Sequence, residues 1–123
     1  MIQVSTRIKI IDNSGARSCK IIRLLGGNKK RMRDLLSNLA VVTIKNLKNK
    51  QGKIKKGQVH KLRILRRKNR LLRKDGSFLK FDDRGGILVN EQLSPLGSRL
   101  WGPLTRELKG KYSKITTLSK KIL

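Results

Sequence analysis

Turn-forming residues punctuate this chain at close intervals and leave short strand-like stretches between them. Asp12-Asn13-Ser14-Gly15 sets four such residues in a row. Asp and Asn there bond their own backbone, and Gly accepts positive φ. Gly26-Gly27-Asn28, Asp75-Gly76 and Asp82-Asp83-Arg84-Gly85-Gly86 repeat the signal downstream. Between the turns, apolar residues alternate. Ile8 and Ile10 share one face of residues 4–11, with Arg7 and Lys9 opposite. Residues 17–25 follow as a second strand, and 39–47 carry the β-branched run Val41-Val42-Thr43-Ile44 of a buried third. Leu62 and Ile64 alternate with Lys61 and Arg63, Ser77-Phe78-Leu79-Lys80-Phe81 resumes the pattern, and Ile87-Leu88-Val89 adds a short apolar strand. At least five closely spaced strands joined by turns predict a small barrel rather than βαβ units.

The end of the chain has another character. Residues 96–102 form a glycine-bounded loop, and Pro103 suits the first position of a helix, where its missing N–H has no intrahelical partner. Leu104 and Leu108 lie four apart, with Gly110 placed to close the turn. Tyr112, Ile115 and Leu118 sit at helical spacing and predict a second short helix. At this length one domain is expected over 1–123, with a barrel over about 1–90 and a tail over 91–123.

Charge narrows the function. Thirty-two Lys and Arg against seven Asp and Glu give a formal net charge of +25. In so small a body that charge repels itself and opposes folding unless a counter-charge accompanies it. Nucleic acid is the commonest one. Eight of the fourteen residues from 61 to 74 are Lys or Arg, so the stretch 58–81 joins a core-building strand to a cationic limb. Lys and Arg release counterions from phosphates, and the thirteen arginines add bidentate phosphate pairing. Phe78, Phe81, Trp101 and Tyr112 are the only aromatics, too few for the stacking platform of a single-strand binder. Trp101 suits either base stacking or docking of the tail on the barrel. Recognition of folded RNA by phosphate and shape is the better expectation. A free single-strand nucleic-acid-binding barrel stands as the alternative.

No catalytic set is present. His60 is the only histidine, which removes His-based dyads and multi-histidine metal sites and leaves a structural or RNA-contacting role. Asp82 and Asp83 are the only adjacent carboxylates; neighbours in a strand would point to opposite faces, which argues against a shared acid/base site and favours the turn reading. Neither Gly26-Gly27 nor Gly85-Gly86 matches a phosphate-cradling glycine pattern. Cys19 stands alone, which excludes an intramolecular disulfide or a multi-cysteine zinc site and suits a small buried thiol. No apolar run approaches the roughly 20 residues of a membrane span. The expectation is a non-enzymatic protein with no cofactor, no metal, no membrane partner and no homo-oligomer.

Specific strings carry a resemblance. Ile10-Ile11-Asp12-Asn13-Ser14-Gly15-Ala16-Arg17 resembles the opening of the universal large-subunit ribosomal protein fourteen family. Leu24-Leu25-Gly26-Gly27, the run Gly52-Lys53-Ile54-Lys55-Lys56-Gly57-Gln58-Val59, and Asp75-Gly76-Ser77 with Lys80-Phe81-Asp82 are similar to later landmarks of that family. The strongest likeness is Pro95-Leu96-Gly97-Ser98-Arg99-Leu100-Trp101-Gly102-Pro103-Leu104-Thr105-Arg106-Glu107-Leu108. There are departures: residues 29–39 are more basic, Asp83-Arg84-Gly85-Gly86 replaces a Gly-Asn-Ala-Cys-like run, and Ser119-Lys120-Lys121 replaces a more acidic or proline-containing end.

The resemblance implies a mainly β fold: a five-stranded β-barrel with a projecting basic β-ribbon and a C-terminal loop with two short α-helices. It also implies binding to large-subunit ribosomal RNA, contact with large-subunit proteins three and nineteen, and an intersubunit bridge to small-subunit RNA. The candidate rRNA contacts are Arg17, Lys29, Lys30, Arg31, Lys48, Lys50, Lys53, Lys55, Lys56, Arg66, Arg67, Lys68, Arg70 and Arg73. Ser98, Arg99 and Lys114 would form the surface presented to the ribosome silencing factor, which blocks subunit joining. Ala16 and Ala40 are the only alanines, while Leu, Ile, Lys and Asn abound, as in proteins encoded by A+T-rich organelle genomes. With no presequence visible, a mitochondrial ribosome is the expected location, with plastid and bacterial ribosomes as alternatives.

Overall fold

A computed structural model describes residues 2–25, 39–108 and 112–123. The described strands are β1 (Arg7–Ile10), β2 (Ala16–Leu25), β3 (Leu39–Leu47), β4 (Val59–Arg66), β5 (Leu71–Leu72), β6 (Phe78–Leu79) and β7 (Gly85–Val89). Five of them close a barrel in the order β1-β2-β3-β4-β7. All neighbours are antiparallel except the closing pair, where Lys9 and Ile10 of β1 run parallel to Gly85 and Gly86 of β7. Closure leaves these strands no free edge, which suits a chain with so many short strands.

The alternation does what the sequence predicts. Ile8 and Ile10 of β1, Cys19 and Ile21 of β2, and Ala40, Val42 and Ile44 of β3 all point into one core with Leu62, Ile64 and Leu88. Arg7 and Lys9 stay exposed. The first strand is shorter than expected. Ser5 adopts φ +73, in the left-handed region, and its amide bonds Ile21 O at 2.9 Å, so the ladder starts only at Arg7.

Strands β4 and β7 break the alternation because they are covered on both faces. Residues 62–66 and the whole of β7 are buried. Their inner side chains join the barrel core, whereas Leu65, Ile87 and Val89 meet Ile11, Leu100, Leu104, Leu108 and Ile115 in a second cluster. The tail thus docks across the outside of these two strands. A register shift between Ile64 and Arg66 opposite Gly86 and Gly85 marks a bulge, which redirects the chain at the barrel rim. Gly85 and Gly86 are strand residues here, not the turn that the sequence suggests. A Cβ on Gly86 would lie 2.9 Å from Arg63 O, so the close approach of the β4 backbone demands glycine there, and one on Gly85 would press against the buried Arg66 side chain at 2.8 Å from Nε.

The expected ribbon is present in short form, as β5 and β6 paired through Leu71↔Leu79 and Leu72↔Phe78. Asp75 holds its turn by accepting from Ser77 N at 3.0 Å and Ser77 Oγ at 2.6 Å. The tail departs from expectation in one respect. Residues 103–108 form no α-helix, only a 3-10 turn at Arg106–Leu108. The reason lies in the backbone: Leu104 N donates to Lys121 O, Arg106 N to Leu123 O, and Leu123 N to Leu104 O. A helix begun at Pro103 would need Arg106 N for Gly102 O and Leu104 O for Leu108 N, and both are taken by Leu123. The second helix forms as a single turn, α1 (Ser113–Thr116), with Ile115 and Thr116 buried. The turn-closing role read for Gly110 lies outside the described residues, as does the landmark Gly26-Gly27.

Candidate nucleic-acid interface

The acids come first, because they decide which cations are left exposed without a partner. Asp12 is buried and accepts from Ser14 N at 3.2 Å and Leu88 N at 3.2 Å. Burial raises its pKa above the ordinary carboxyl value, opposed by its hydrogen bonds with Ser14 and Leu88 and by nearby Lys48. Asp75 caps the ribbon turn, and its hydrogen bonds with Ser77 lower its pKa. Asp83 pairs with Arg66 at 3.2 Å, and Glu107 with Arg73 at 2.9 Å. Among the described residues, four acids are thus engaged in contacts within the fold, two of them in ion pairs with arginine.

The predicted basic residues separate into two groups. Arg17, Lys48, Lys50, Lys53, Lys55, Lys56, Lys68 and Arg70 are exposed. Arg66 and Arg67 are not: they are 7% and 8% exposed, with Arg63 beside them at 6%. Arg63 stacks its guanidinium on the Tyr112 ring at 4.0 Å, under the docked tail. Arg73 is half-buried, held by Glu107 and by the carbonyl of Leu123 at 2.6 Å. Lys29, Lys30 and Arg31 lie outside the described residues.

The connection between β3 and β4 is built to expose its lysines. Gly57, at φ +86, supplies a left-handed position, and its amide donates to Ile44 O at 2.9 Å. Ile54 turns inward to the barrel core, leaving Lys53, Lys55 and Lys56 outside. His60 contacts Gln58 Oε1 at 3.2 Å, which suits the local structural role. On the ribbon, Phe78 is exposed and carries Arg70 over its ring at 4.7 Å.

The tail loop is fastened to the first turn. Asn13 Oδ1 accepts from Ser98 N at 2.8 Å and Arg99 N at 3.2 Å, while its Nδ2 donates to Ser98 Oγ at 2.9 Å. A Cβ on Gly97 would sit 2.6 Å from Asn13 Oδ1, so glycine is required there. The fastening leaves Ser98 and Arg99 exposed, and Lys114 is exposed on α1. Just beyond, Trp101 N donates to Ile11 O at 2.9 Å, and Lys48 N donates to Gly15 O at 2.8 Å. These bonds bring Lys48 and Trp101 to either end of the same turn, with Lys48 Nζ 3.9 Å over the indole. Beside them opens a groove of about 440 Å³ lined by Lys9, Arg17, Lys48, Arg66 and Trp101, among others. The sequence reading missed Lys9 in this role; its outward phase beside Ile8 and Ile10 was the available signal.

The described residues form a small closed β-barrel with many exposed cations, one buried acid (Asp12) and no cluster of three or more potential metal ligands. The particular family follows from comparison. A family model described as ribosomal protein L14p/L23e matches residues 1–123, and the chain belongs to that family. It is a structural protein of the large ribosomal subunit, located in the ribosome, and not an enzyme.

Proposed function

We propose that this chain binds large-subunit rRNA through the exposed lysines of the β3–β4 connection, together with Arg17, Lys68 and Arg70. The observation that carries this reading is the division of the basic residues. Lys48, Lys50, Lys53, Lys55 and Lys56 are all exposed on one connection, while Arg63, Arg66 and Arg67 are buried. Exposed lysine side chains without acidic partners gain most from phosphate contact and counterion release. Arg66, Arg67 and Arg73 then act by holding the body together rather than by reaching RNA.

The tail surface carries the second part of the proposal. Ser98, Arg99 and Lys114 form the face toward the small subunit, contributing to an intersubunit bridge with small-subunit RNA and receiving the ribosome silencing factor. The Asn13 clamp supports this reading, since it fixes the loop without consuming the exposed side chain of Arg99. Contacts with large-subunit proteins three and nineteen complete the setting. The alanine-poor, Lys- and Asn-rich composition supports a mitochondrial ribosome.

The test is a salt titration of binding to transcribed large-subunit RNA. Replacing Lys50, Lys53, Lys55 and Lys56 by Gln should flatten the slope of log K against log salt by about 3, at roughly 0.7–0.9 per lost phosphate contact. An unchanged slope and affinity would overturn the assignment.

A further inference from the structure

We infer that the groove beside Trp101 receives one unpaired nucleotide of the RNA, its base stacked on the indole and its phosphate held by Arg17 and Lys48. The inference rests on the RNA-binding reading above and adds a mode of recognition to it.

Trp101 is the starting point. An indole that merely docked the tail would be buried, and the docking is done by its neighbours: Leu100 is 4% exposed and Leu104 0%. Trp101 is 49% exposed. Its backbone is nonetheless fixed, by the bond to Ile11 O on one side and by Gly102 at φ +89 on the other. A rigid, half-exposed aromatic is a stacking surface whose ordering cost is already met by the fold.

The groove supplies the complementary chemistry. Lys9, Arg17, Lys48 and Arg66 line it, and among the described residues no acid does. Arg66, 7% exposed and paired with Asp83 at 3.2 Å, forms the groove's inner wall. Space is reserved for that guanidinium: a side chain on Gly102 would collide with it. An aromatic face beside several cations fits a ligand that is itself both aromatic and anionic, which describes a nucleotide. Lys48 Nζ lies over the indole in the free chain. That cation–π contact is weak at an exposed site, and partial desolvation lowers the lysine's pKa. An arriving base displaces the ammonium from the ring, and a phosphate takes it up.

The experiment uses the full chain with two RNA hairpins, identical except for one bulged adenosine. Trp101 is the only tryptophan, so the intrinsic fluorescence is its own. The bulged hairpin should bind about 5- to 150-fold more tightly than the paired one, the range for one stacked base, and should quench the fluorescence selectively. Trp101→Leu should remove that preference while leaving affinity for the paired hairpin unchanged. Lys48→Ala, at an exposed side chain, should narrow it independently and guards against a folding defect in the tryptophan variant. Equal affinity for the two hairpins without selective quenching overturns this inference alone. Binding of neither hairpin overturns the RNA reading and this inference with it.

Discussion

Two basic stretches of this chain are alike in the sign of their charge and are packed in opposite ways. Around the end of β4, Arg63, Arg66 and Arg67 are buried, with Arg63 stacked on Tyr112 and Arg66 paired with Asp83. In the connection before β4, Lys48, Lys50, Lys53, Lys55 and Lys56 all face water. The residue type matters. Guanidinium is planar, weakly hydrated and suited to stacking and forked hydrogen bonds, so it tolerates burial beneath the tail. The ammonium is compact and strongly hydrated, and remains outside. Local charge density therefore does not tell buried cations from exposed ones in these two stretches; the balance of arginine and lysine does better.

That contrast can be broken or sharpened by substitution. The largest effect belongs to the wall that both regions flank: Ile64→Ala, in the barrel core at the bulge, should destabilise by about 2–5 kcal/mol in denaturant unfolding. Arg66→Ala follows at about 1–3 kcal/mol, since it strips a buried side chain from between Gly85 and Gly102 and releases Asp83. If Arg66→Ala instead left stability untouched and weakened RNA binding, the division between the two stretches would fail.

A pH test reports on the barrel core from β2. Burial pushes the Cys19 thiol up from 9.0 to about 12. Between those values the folded chain keeps a proton that the unfolded chain loses, so this group's contribution to stability declines as pH rises from 9 toward 12. Thermal melts across that range should fall more steeply for the native chain than for Cys19→Ala. Parallel curves would show that the thiol is not buried as described.

On the lysine side, stability should barely respond. The four substitutions to Gln in the connection should alter unfolding free energy by no more than about 0.5 kcal/mol per site, while the salt slope of RNA binding falls. Smallest of all for the body of the protein is the paired reversal Arg99→Glu with Lys114→Glu. It should weaken binding of the silencing factor in a pull-down and leave incorporation into large subunits largely intact. Equal loss of both would place these residues on RNA instead.

The sequence discloses the barrel well because period-2 alternation is a local signal, and Ile8, Ile10, Val42, Ile44, Leu62 and Ile64 obey it. It discloses strands β4 and β7 but not their two-sided burial, which depends on a tail that follows them in the chain. One clue was present: the phase that buries Leu62 and Ile64 also points Arg66 inward, and a charge in that phase calls for a bulge or a partner. The structure has both. The helix expected from Pro103 fails because spacing of Leu104 and Leu108 cannot reveal that the backbone pairs with residues 121–123. The groove at Trp101 was hidden for a related reason. Its cations come from residues 9, 17, 48 and 66, which no local pattern unites.

The most direct measurement is lysine footprinting by acetylation and mass spectrometry, comparing the free chain with the chain in assembled large subunits. Strong protection of Lys50, Lys53, Lys55 and Lys56 on assembly is the result expected if the connection is the RNA face. Equal modification of these four lysines in both states would contradict it.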